Sequence, residues 1–212
     1  MSRQTRSITK RITRLNASTP SPRVSSPETR LFTTPSAWES WLDANHNTCT
    51  PGLWLQIAKK DQGVTSVTYD EALDIALCYG WIDGQRKALD AQYFIQRFTP
   101  RRKGSLWSQR NVNKVASLIE TERMKPAGQV EIDAAQSDGR WDRAYSSSSN
   151  AAVPEDFQSA LDENEAAGEF FKGLNRTKRY TFIQRLETAK RPETRIKRIE
   201  QFVALLASGK SL

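Results

Sequence analysis

Histidine occurs once in this chain, as His46, and cysteine twice, as Cys49 and Cys78. A single histidine, set in an Asn-His-Asn-Thr stretch, has no oriented acid or nucleophile beside it in sequence, so acid–base chemistry of the triad kind finds no support. Two cysteines with unlike flanks build no disulfide framework and no paired CxxC metal site, which fits a reducing compartment. HExxH, P-loop and GxGxxG patterns are missing too, so no metal or other cofactor is expected. No apolar run approaches the roughly 20 residues that cross a bilayer, and the first residues lack the apolar core of a secretory signal.

Acidic residues are also missing from the first 27 positions. Arg3, Arg6, Lys10, Arg11, Arg14, Arg23 and Arg30 face only Glu28, so most of the net charge of +8 sits before Phe32. The remainder is near neutral, which argues against nucleic-acid binding by the folded body. Ile8, Ile12 and Leu15 recur at helical spacing among these cations, the pattern of a mitochondrial transit peptide. The same composition suits a nuclear address, or a plain disordered tail, which is the reading adopted for residues 1–31. The expected location is cytoplasmic, with the mitochondrial matrix as the alternative.

From Phe32 onward the chain reads as α+β. Trp38, Trp41 and Leu42 lie at helical spacing behind Ser36, and the helix ends near Asn45. Gly52 to Lys60 alternates as a strand. Thr68 with Glu71 forms a capping box ahead of the stripe Tyr69, Ala72, Leu73, Ala76 and Leu77, and Gly80 closes that helix. Cys78, near the helix end, is read as a small buried residue. Trp81–Lys87 and Tyr93–Thr99 follow as two strands, with Asp83-Gly84 a tight turn or a bulge. Ser108 caps a helix carrying Val112, Val115, Leu118 and Ile119, and Pro126 opens another that ends at Gly139.

The serine run at 146–149 marks a linker, and only helical signals lie beyond it. The last helix is expected from Glu193 to about Ala207 with Ile196, Ile199, Val203 and Leu206 inward. The predicted organisation is a tail over 1–31, an α+β domain over 32–145 with a small antiparallel sheet, a linker over 146–152 and an all-α domain over 153–212. In that last domain basic helices follow acidic ones, a pattern suited to pairing between helices.

One stretch collects aromatic and cationic side chains. Trp81, Asp83, Lys87, Arg97, Arg101, Ser105, Trp107 and Ser108 fall on the hairpin and the loop after it, joined by Arg86, Arg102 and Lys103. Guanidinium forks and indole faces bracket an anionic or planar ligand, and free amides at the helix start behind Ser105 or Ser108 would add to such a site. The bland alternative puts both tryptophans in the core and pairs Asp83 with Arg97 or Arg101.

ALCYGWIDGQRKALD at 76–90, RFTPRRKGSLWSQRN at 97–111 and AKRPETRIKRI at 189–199 resemble, in that order, the bacteriocin-protection family also called YdeI/OmpD-associated. The resemblance implies a role in tolerance of antimicrobial peptides and envelope-linked stress, and no defined chemistry. The expected function is a non-catalytic stress factor that binds an anionic small molecule or an acidic protein surface. The alternatives are a small-molecule enzyme using Asp83 and Arg101, and a nucleic-acid-associated protein using the basic tail.

Overall fold

The computed structural model describes residues 27–148 and 150–212. The Arg-rich stretch read as a tail or targeting signal lies outside the described residues as far as residue 26. Its expected last part does not: Thr29–Leu31 is a strand, β1. It pairs in parallel with β2, Leu53–Ala58, placing Thr29 opposite Trp54. A three-residue strand held by a distant partner carries no local signal, which is why the tail was drawn too long.

The helix α1 (Pro35–Asn45) starts at Thr34, whose hydroxyl accepts from the Ala37 amide, two residues ahead of the expected Ser36. β2 leads to α2 (Tyr69–Cys78), whose Thr68–Glu71 capping box is complete in both directions. β3 (Trp81–Ala88) and β4 (Tyr93–Pro100) then form an antiparallel pair, and β4 also pairs antiparallel with β2. The sheet order is β1-β2-β4-β3, so the expected antiparallel sheet is mixed through its first strand. The register of β3 against β4 shifts between Asp83 and Arg86, which makes Asp83-Gly84 the start of a bulge and not a turn.

One sheet face is sealed by helices. Leu53, Leu55, Ile57, Phe94, Phe98 and Trp81 point inward against Trp38, Leu42, Leu73 and Leu77. Trp38 and Trp81 are under 2% exposed and still satisfy their indole N–H groups, on Ala72 O at 3.1 Å and His46 O at 3.0 Å. His46 itself caps α1, its Nδ1 lying 2.9 Å from Leu42 O. Cys78 is buried and free, and burial pushes its thiol up to about 11.

α3 (Gln109–Glu120) and α4 (Pro126–Ser137) complete this unit. On α3, Val115 and Leu118 are buried, whereas Ile119 is 43% exposed and Asn111 takes an inner place. Four helices follow: α5 (Glu155–Asp162), α6 (Glu165–Gly173), α7 (Arg176–Glu187) and α8 (Pro192–Ala207). Their separate core is built on Phe157, Phe171, Phe182, Leu186, Phe202 and Leu206. Ile196, expected inward, is 58% exposed, and Phe202 fills the core position on α8 instead. The expected pairing between acidic and basic helices is made by Arg195, which grips both oxygens of Asp156 at 2.6 and 2.7 Å. The serine run is anchored at its start, because Ser146 donates to Glu187 and accepts from the Tyr180 hydroxyl.

Among the described residues no helix is long and apolar enough to cross a membrane.

Candidate functional site

Among the described residues, the sheet face turned away from the helices has no covering layer of buried side chains. Alternation along β2 and β4 puts Trp54, Tyr93, Ile95, Arg97 and Thr99 there, each half-buried, with Trp54 directly opposite Arg97. At the end where β4 runs out, Thr50, Pro51, Trp54, Gly84, Gln85, Arg97, Thr99, Arg101 and Arg102 enclose a groove of about 630 Å³. Among the described residues no carboxylate lines it, while three guanidinium groups do.

The bulge forms one rim. Gly84 and Gln85 break the ladder, and the buried Gln96 side chain collects their carbonyls at 2.9 and 3.3 Å, so the irregular backbone is satisfied from beneath. The Arg97 stem packs under Gly84. Its guanidinium reaches the Pro51 carbonyl with Nη2, whereas Nη1 is buried without a hydrogen-bond partner among the described residues. Burial lowers the pKa of this arginine.

Arg101 shows the same imbalance more strongly. Its backbone N–H donates to Gly80 O at 2.9 Å, tying the end of β4 to the start of β3. The side chain is 7% exposed and stacks on Trp107, with the guanidinium carbon 3.5 Å from the ring centroid. Nη1 donates to Leu106 O at 3.2 Å and, at 3.4 Å, to Ser105 Oγ. Nε and Nη2, the two donors along one edge, are buried and unpartnered among the described residues. Burial depresses this guanidinium to about 10, against the pull of Glu131, Tyr145 and Asp83. Among the described residues no ion pair includes Arg97, Arg101 or Arg102.

Of the residues singled out from the sequence, Arg97, Arg101, Ser105 and Trp107 are brought together. Trp107 is 1% exposed and serves as the floor beneath Arg101, 4.9 Å from Trp141. Trp81 is sealed in the core against Trp38 and Trp41 and reaches no ligand. Asp83 pairs with neither arginine; the Tyr69 hydroxyl donates to it at 2.8 Å. Lys87 stands apart, its ammonium 4.6 Å over the Trp54 ring. Ser108 accepts from the Asn111 amide, and the Gln109 amide donates to Tyr145 O, so these donors at the start of α3 are already taken. Trp54 was missed as a site residue. The signal was there, in a tryptophan on the otherwise polar face of an alternating strand.

Residues 150–209 match the family described as Bacteriocin-protection, YdeI or OmpD-Associated. The chain carries a domain of that family. Residues 30–131 match a Domain of unknown function, DUF8412. The bacteriocin-protection domain therefore takes in the Ala189–Ile199 motif and all of α5 to α8, while the two central motifs and nearly all of the groove fall in the other match. No curated protein and no solved structure matches the chain.

Proposed function

We propose that this protein is a non-catalytic binding factor that takes up a small anion, a carboxylate or phosphate, in the groove between β2, the β3 bulge and the end of β4. The observation that carries the reading is Arg101: a buried charge with one whole edge of its guanidinium unfilled and no carboxylate in contact. Buried donors are ordinarily satisfied, and two parallel N–H groups on one edge match two oxygens of a carboxylate or phosphate. Arg97 and Arg102 add charge of the same sign along the same wall. Because the fork is covered, a guest reaches it by shifting the side chains above it, so uptake includes a local rearrangement. The bacteriocin-protection domain supports a stress-linked setting for such binding and leaves the guest to the groove.

Calorimetric titration of the full chain with inorganic phosphate, at constant ionic strength, tests this. Saturable binding at one site, weakened at least about tenfold in Arg101→Met, a loss of about 1.4 kcal/mol, is the expected result. Equal binding by the variant, or none by the native chain, overturns it.

A further inference from the structure

The groove has a second recognition element. Five of the six tryptophans, Trp38, Trp41, Trp81, Trp107 and Trp141, belong to or pack against the core of the first unit. Trp54 does not. It sits on the open face of the sheet between Thr29 of β1 and Arg97 of β4, and it lines the same groove as Arg101. Two cations lie over its ring, the Lys87 ammonium at 4.6 Å and the Arg97 guanidinium at 5.6 Å. Gln56 and Ala58, which follow on the same face of β2, offer no aromatic partner.

We propose that the guest carries a planar ring beside its anionic group, so that the ring stacks on Trp54 while the anion meets the arginines; this rests on the anion-binding reading above. A large aromatic ring that packs on no core contributes little to folding for the area it exposes, whereas a planar guest gains dispersion and apolar burial from it. Lys87 is a replaceable cover: it is exposed and holds the ring through a flexible stem, so an arriving ring displaces the ammonium toward the added negative charge. Arg97, directly opposite Trp54 and also in the groove wall, brings a cation beside the ring, 5.6 Å from its centroid. The chemical class is an aryl carboxylate or aryl phosphate, larger than a bare anion.

The test compares phenyl phosphate with inorganic phosphate on the full chain, in native form and as Trp54→Leu and Trp54→Phe. Phenyl phosphate is expected to bind the native protein at least about tenfold tighter than inorganic phosphate, the order a stacked ring supplies. That advantage should collapse in Trp54→Leu and persist in Trp54→Phe. Equal affinity of the two probes for the native chain, or an advantage that survives Trp54→Leu, overturns the ring proposal while leaving anion binding intact. Failure of both probes to bind overturns the two readings together, and the Phe variant keeps the comparison open should the Leu variant fold poorly.

Discussion

Arg101→Met in the unliganded protein separates a ligand-binding arginine from a structural one. A guanidinium depressed to about 10, well below its ordinary value, pays for its burial. At about 1.4 kcal/mol per tenfold, the charged form is disfavoured by about 3 kcal/mol. The folded-state pKa of this base is depressed, so by linkage the penalty is complete at neutral pH and is relieved only as pH rises above about 10 toward the ordinary guanidinium value. Methionine fills similar volume and removes that penalty. It also leaves the Leu106 carbonyl without its donor, at about 1–2 kcal/mol, and forfeits about 1–2 kcal/mol of stacking on Trp107. The terms nearly cancel, and at roughly 2–4 °C per kcal/mol the Tm should stay within about 4 °C of native. Phosphate at about 100 times its native Kd should then raise the native Tm by about 5–10 °C and the variant by no more than about half as much. Scanning calorimetry with and without phosphate reads both. A fall of about 10 °C or more without ligand, the cost of breaking a satisfied buried charge, would refute the reasoning.

Two further outcomes follow from packing and from titration. A Cβ on Gly128 would stand 2.4 Å from Cys78 O and 2.7 Å from Leu77 O, so α4 lies on the end of α2 only through glycine. Gly128→Ala should lower the urea midpoint by an amount equivalent to about 1–3 kcal/mol, and an unchanged midpoint would contradict that packing. The Arg195 fork holds the Asp156 carboxyl below the usual carboxylate range. Its contribution is therefore present above a pH of about 4 and lost as pH falls through the lowered folded value. Asp156→Asn should flatten acid-range stability between those limits by under about 1 kcal/mol, because both partners are partly exposed, and an identical pH profile would remove the pair from the account.

The parts of this fold that could be read from the sequence are those whose physics is local. Thr68 with Glu71, and Pro126, act within a turn of their own helix, so α2 and α4 lie within a residue or two of their expected bounds. β1 was lost because its pairing depends on residues more than twenty positions away. Ile196 continues the apolar spacing of α8, but at that turn the contacts to α5 and α7 are made by the neighbouring Arg195 and Ile196 stays 58% exposed. In the groove, Arg97, Arg101 and Trp107 were legible as a cluster of cations and aromatics. Which donors would stay unfilled was not, since that depends on Pro51, Ser105 and Leu106 arriving from the surrounding loops. Asp83 looked like their partner by proximity in sequence, and strand alternation turned it toward Tyr69 instead.

The central claim is that the free edge of Arg101 accepts an anion. Proton–nitrogen correlation spectra of the arginine Nε–H groups address it directly, with the Arg101 signal assigned by its loss in Arg101→Met. The account predicts a slowly exchanging Arg101 signal that shifts on titration with phosphate, saturating at the calorimetric affinity. An Arg101 signal that stays fixed while only exposed arginines respond would contradict it.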